Sequence, residues 1–277
     1  MSDLAARPSW PKRALALIGW TRHSSYLLAA FVLVCGSIIY LWWPLATQVL
    51  ATIQWNGPWW RTFDWLLVGI YAVMTLLIMA RADLKRDALI VFVASIGGLV
   101  IEAWGTQTRL WFYFTAERPP LWIIPAWPIA TLAIDRITRA LAHLLPKGAD
   151  RFYQALYWLT FLGFFGLMLS FVAPSLPRLM TVAALLLVAL LILTPTDARM
   201  AFLIFLAGTG LGYFLELWGT TRQCWTYYTF QTPPLFAVLA HGMAAVSFWR
   251  AGLLVKTVLA KVQPFLLRRG SPHREMD

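Results

Sequence analysis

Charge is what this chain has least of. Asp, Glu, Lys and Arg together make up 13% of its 277 residues, against about a quarter in an ordinary soluble domain. So few charges cannot clothe a water-soluble globule, and a cytoplasmic globular enzyme is excluded. Cysteine is nearly absent too. Cys35 lies inside an apolar run and Cys224 near the end of another, so the pair offers neither a disulfide framework nor metal-ligand spacing. Also missing are a Gly-rich phosphate loop, a zinc motif, a nucleophile elbow and a kinase signature, and no cofactor or metal is expected. The first 24 residues are interrupted by Pro8, Pro11 and several charges, with no short apolar core leading to a small-residue cleavage site. The first helix is therefore expected to serve as an anchor.

Apolar side chains fill the space that charge leaves. Sixty per cent of residues (60%) are hydrophobic, 15% are aromatic and the mean hydropathy is +0.66. A membrane-spanning helix needs about 20 mostly apolar residues, because the hydrocarbon layer is about 30 Å thick and each residue rises about 1.5 Å. Eight runs fit: Ser25 to Leu45, Phe63 to Ala80, Ala88 to Trp104, Leu121 to Leu141, Phe152 to Val172, Leu179 to Thr194, Ala201 to Trp218 and Leu235 to Leu259. They lack the strict alternation of a β-barrel, so the predicted fold class is all-α and polytopic.

The net charge of +11 raises the question of nucleic acid, but Lys and Arg gather at the ends of apolar runs instead of on one water-facing surface, which argues against that partner. Of the 23 Lys and Arg, 18 fall on the side that carries both termini. The other five are Arg61, Arg109, Arg118, Arg178 and Arg222. The positive-inside rule then puts both termini in the cytoplasm, with the chain in the cell's inner membrane. Tryptophan is biased the opposite way, with 11 of 16 near the outer face.

A shift of 114 residues aligns Ile90 to Arg136 with Ile204 to Arg250 without a gap, with 15 of 47 positions identical. Such self-similarity indicates duplication. The first copy reads Glu102, Trp104, Gly105, Thr106, then Trp111, Tyr113, Thr115, Pro119 and Pro120. The second reads Glu216, Trp218, Gly219, Thr220, then Trp225, Tyr227, Thr229, Pro233 and Pro234. Four runs separate equivalent points, so the halves are expected to cross in parallel, four helices plus four. The predicted units are a 1–24 N-terminal segment, repeats over 25–142 and 152–259, a 143–151 linker and a basic tail over 260–277. Ala94, Gly98 and Glu102 share a helical face, as do Gly208, Gly212 and Glu216, with small residues that permit close packing or leave room for a ligand.

Two carboxyls in low dielectric near helix C-termini make charge costly, which suits Glu102 and Glu216 to acid and base work beside an apolar cavity. The plainer alternative is a clamp, in which each carboxyl accepts hydrogen bonds from the Thr and backbone amides of the loop after it. Trp104, Trp111, Tyr113, Trp218, Trp225, Tyr227 and Tyr228 offer ring faces that stabilise a cation by about 0.5–2 kcal/mol each, or they form an interfacial belt. Arg109, Arg118 and Arg222 share the outer loops, where a phosphate headgroup or plain solvent would satisfy them. Asp135, beside Arg136, is either a functional intramembrane acid or an interfacial ion pair. His241 aligns with Trp127 and reads as a buried hydrogen-bonding or proton-handling group. Asp64 opens the second run and suits a helix cap, whereas His23 and His143 fall on the cytoplasmic side without a motif.

With those segments in view, the chain resembles membrane carotenoid-biosynthesis proteins, namely the carotenoid hydratase family and duplicated lycopene cyclase domains, over about 47 residues in each half. The resemblance implies a multi-helix enzyme that protonates a double bond of a long isoprenoid, with Glu102 and Glu216 as the acid and base. The chain departs from the cyclase pattern where paired glutamates follow a proline: it has Pro125, Ala126, Trp127, Pro128 and Leu239, Ala240, His241, Gly242. The expected partners are a hydrophobic lipid or isoprenoid substrate and the surrounding membrane lipids. Two rival functions are a binding or transport protein for a hydrophobic molecule and a structural subunit of a membrane complex.

Overall fold

A computed structural model describes residues 15, 16, 18–145, 147 and 150–269. Its helices are α1 (Arg22–Leu41), α2 (Trp43–Ala51), α3 (Trp65–Met79), α4 (Leu84–Gln107), α5 (Ala126–Leu144), α6 (Asp150–Val172), α7 (Leu179–Leu193), α8 (Ala198–Thr221) and α9 (Leu235–Arg269). Two three-residue strands, β1 (Trp111–Tyr113) and β2 (Trp225–Tyr227), follow α4 and α8. Arg7, Lys12, Arg13 and Arg274, which count toward the predicted orientation, lie outside the described residues, as do parts of the predicted N-terminal segment, linker and tail.

All eight predicted runs are helical, but among the described residues five helices are long and apolar enough to cross a membrane: α1, α4, α6 with the turn after it, α8 and α9. The chain is thus a membrane protein with five candidate spans. α3 and α7 have 15 residues each and reach only about 22 Å, short of the hydrocarbon thickness. α5 carries Asp135, Arg136 and Arg139 within its 19 residues. The first run, predicted as one helix to Leu45, breaks at Trp42, whose φ of −111° and ψ of 40° leave the helical region. Pro44, at the start of α2, explains the break, since proline lacks the amide that would continue α1 and suits a first turn.

Acidic caps start several helices. Asp64 accepts the Leu67 amide at 3.2 Å, and Asp197 accepts that of Met200 at 2.9 Å. Half of the spanning window of α8 is buried against 6% for α1, which makes α8 a core helix and α1 a peripheral one. Small residues set that core as expected. A Cβ on Gly208 would come within 2.8 Å of the Gly242 backbone, and one on Gly98 or Gly212 would collide with Trp127 or His241.

The sequence suggested loops after α4 and α8; instead the two segments pair. β1 and β2 form an antiparallel ladder with Trp111 opposite Tyr227, Phe112 opposite Thr226 and Tyr113 opposite Trp225. Alternation along each strand buries Trp111 and Tyr113 while Phe112 stays exposed, and it buries Trp225 and Tyr227 likewise. The surrounding turns match as well. Left-handed residues Arg109 and Ala116 in the first correspond to Gln223 and Phe230 in the second.

Candidate functional site

Glu102 and Glu216 each lie more than one turn before the end of their helix and are 4% exposed. The Glu102 carboxylate accepts the Trp111 indole N–H at 3.1 Å and the Tyr113 hydroxyl at 2.9 Å, both on Oε2. Its Oε1 accepts the Trp127 indole at 3.1 Å. At Glu216, Oε2 accepts the Trp225 indole at 2.9 Å, and Oε1 meets the Tyr227 hydroxyl at 2.9 Å and His241 Nε2 at 3.0 Å. Buried carboxylates require such partners, and each has three.

The clamp alternative is corrected in detail. Thr106 and Thr220 donate to the backbone carbonyls of Glu102 and Glu216, both at 2.6 Å, and leave the carboxyl oxygens to aromatic donors. A strand places Trp and Tyr two residues apart on one face, which brings both to a single carboxylate. Each Trp lies across a glycine of its own helix: a Cβ on Gly105 would fall 1.9 Å from the Trp111 ring, and one on Gly219 would fall 2.0 Å from Trp225. Across the ladder, Trp111 packs on Tyr227 and Tyr113 on Trp225, both at 5.9 Å between ring centroids.

The two networks meet where Trp127 stacks on His241, with centroids 5.7 Å apart and planes 23° apart. Both carboxylates line one cavity of about 960 Å³, with an otherwise mainly apolar wall. Trp127 was not singled out in the sequence as a site residue. Its signal was present, because it occupies in the first half the position that His241 occupies in the second.

The remaining predicted residues divide. Trp104 and Trp218 line the cavity but direct their N–H groups outward, to the Thr181 hydroxyl at 3.2 Å and Asp64 Oδ2 at 2.8 Å. Each therefore ties its own half to a helix of the other. Asp64 also pairs with Arg222 at 3.0 Å. Burial pushes the Asp64 carboxyl up, but the Leu67 amide, the Trp218 indole and the Arg222 guanidinium outweigh it and hold the group below the usual carboxylate range. Four expected site residues stand apart from the carboxylates. Arg222 is taken up by Asp64, and Arg109 is exposed on a left-handed turn. The Tyr228 hydroxyl donates to the Phe171 carbonyl at 2.7 Å. Asp135 belongs to an arginine cluster toward the far end of α5, which is the ion-pair alternative. Cys224 is a poor nucleophile, since burial pushes its thiol up to about 11.

Among the described residues no group of three or more His, Cys, Asp or Glu is placed to hold a metal. The site can do three things chemically. It can enclose a long apolar molecule, present aromatic faces to a cation, and move a proton at Glu216, because imidazole both donates and accepts whereas the indole at Glu102 only donates. Comparison of the chain with protein-family models, with curated proteins and with solved structures gives no match.

Proposed function

We propose that this chain is an integral membrane enzyme that protonates an alkene of a long isoprenoid-type lipid held in the cavity between its halves. The carrying observation is the pairing of Glu216 with His241 at 3.0 Å on the wall of a mainly apolar 960 Å³ cavity. In this reading Glu216 gives its proton to one carbon of the double bond, and its other carbon becomes a cation faced by Trp and Tyr rings. A second alkene of the same molecule attacks that cation, and loss of a proton returns it to the Glu216–His241 pair. The net change is an isomerisation that needs no further reactant; capture by water gives the hydrated product instead. Glu102, held by three neutral donors, acts as a positioning group that fixes the hairpin rings against the cavity and contributes little proton transfer. We further propose eight crossings arranged as two parallel four-helix repeats in the inner membrane, with both termini cytoplasmic and the bilayer thinned locally around the short α3 and α7. The 114-residue repeat and the distribution of Lys and Arg support this arrangement.

The test is lipid mass spectrometry on the purified full chain, followed by incubation of the extracted lipid with wild-type and Glu216→Gln protein. Conversion by the wild type that the variant loses supports the reading. An unmodified lipid that neither protein converts overturns it in favour of a carrier.

A further inference from the structure

A second cavity, of about 370 Å³, lies along α5 and α9 toward the end of the molecule opposite the hairpin. Its wall is built from residues that match under the 114-residue shift, so it straddles the two halves. The first half contributes Arg86, Thr138 and Arg139, and the second half contributes their counterparts Met200, Gly252 and Leu253. The polarity is thus one-sided, except that Lys256 enters from α9.

Charge here is out of balance. Asp135 is shared by Arg86 at 2.5 Å, Arg136 at 2.8 Å and Arg139 at 2.9 Å. Asp87, the other carboxylate of the cluster, is buried and holds Arg136 through both of its oxygens, at 2.6 and 2.8 Å. Among the described residues, three guanidiniums share two carboxylates and the Lys256 ammonium lines the same cavity, an excess of two positive charges. An independent observation points into the same space. Thr138 is 5% exposed and lines the cavity, yet among the described residues its hydroxyl has no hydrogen-bond partner, and the buried Arg139 Nε has none either. Unpaired buried donors are rare and ask for a ligand or ordered water.

We infer that this cavity is a binding site for a phosphate group, held by Arg139, Lys256 and the Thr138 hydroxyl beside the Asp135–Arg86 pair. A tetrahedral oxyanion accepts from guanidinium, ammonium and hydroxyl together and neutralises the surplus charge. Val93 and Phe248 line both this cavity and the large one, so a phosphorylated amphiphile bound here keeps its chain against the apolar wall. The inference is independent of what Glu102 and Glu216 do.

The experiment is native mass spectrometry of the detergent-purified full chain with three probes: phosphatidic acid, phosphatidylcholine of the same chains, and inorganic pyrophosphate as competitor. Lys256→Gln and Thr138→Val are the variants; Lys256 is exposed, and valine keeps the shape of threonine, so both preserve the fold. The wild type is expected to retain phosphatidic acid over phosphatidylcholine, with affinity falling roughly tenfold in Lys256→Gln, the usual effect of losing one charge-assisted hydrogen bond. Displacement by pyrophosphate identifies soluble phosphate as a competent ligand, and its failure to displace identifies a lipid headgroup; either supports the site. Equal retention of the two lipids, or wild-type retention in both variants, overturns it.

Discussion

The two halves of this protein build nearly the same carboxylate site and differ at one donor. Around Glu102 the three partners are two indoles and a phenol, and around Glu216 they are an indole, a phenol and an imidazole. Indole N–H groups cannot accept a hydrogen bond, so both Glu102 oxygens are committed as acceptors. Glu216 Oε1 faces two groups that both can accept, and a proton there has somewhere to go. The lesson is that a duplicated acid need not have a duplicated role. In the proposed reading, a single Trp-to-His difference separates a carboxyl locked as an acceptor from one paired with a group able to exchange a proton.

The largest expected effect tests that separation directly. Glu216→Gln should lower lipid conversion by about 10² to 10⁴, the usual contribution of a general acid or base, whereas Glu102→Gln should cost under about tenfold per folded molecule; equal losses in a turnover assay would break the comparison. Next come the glycines beneath the indoles. Gly105→Ala and Gly219→Ala should each destabilise by about 1–3 kcal/mol through overpacking, to a similar degree in both halves, as read by thermal unfolding in detergent.

The amide variants sharpen the comparison again as structural probes. In Glu102→Gln the new NH₂ must face an indole N–H whichever way it turns, leaving donors opposed at about 1–3 kcal/mol. In Glu216→Gln the NH₂ fits at Oε1 against Tyr227 and His241, so unfolding should stay near wild type. The smallest effect is at Asp64, which ties the first half to Trp218 and Arg222 of the second. Its carboxyl is depressed in the folded state, so its stabilisation is present above about pH 4 and fades as pH falls through the folded value. Asp64→Asn should unfold earlier than wild type at pH 7, with the gap closing in acid.

Much of this was legible in the residues. Apolar run length located the helices except α2, which the first run had merged into a single helix to Leu45, and the repeat paired Glu102 with Glu216 and Trp127 with His241. The spacing of Ala94, Gly98 and Glu102 left close packing and room for a ligand both open, and the ring of Trp127 fills the space over Gly98. The hairpin was missed because a three-residue Trp-x-Tyr segment is too short to show a period of its own, although its recurrence placed two rings on one strand face. Asp135 forms the ion pair with Arg136 that the sequence offered, whereas its second partner Arg86 and the Asp64 partner of Arg222 were hidden because they come from elsewhere in the chain.

Composition and periodicity alone determined that the chain enters a membrane as helices, since backbone groups in lipid pair only within such segments. The internal repeat determined which residues would hold equivalent places. Only the tertiary structure decided which donors reach each carboxylate and which wall encloses it. The reason is physical: Glu102 meets Trp127 across 25 positions of sequence and Asp64 meets Trp218 across 154, and contacts of that range are set by how whole helices pack.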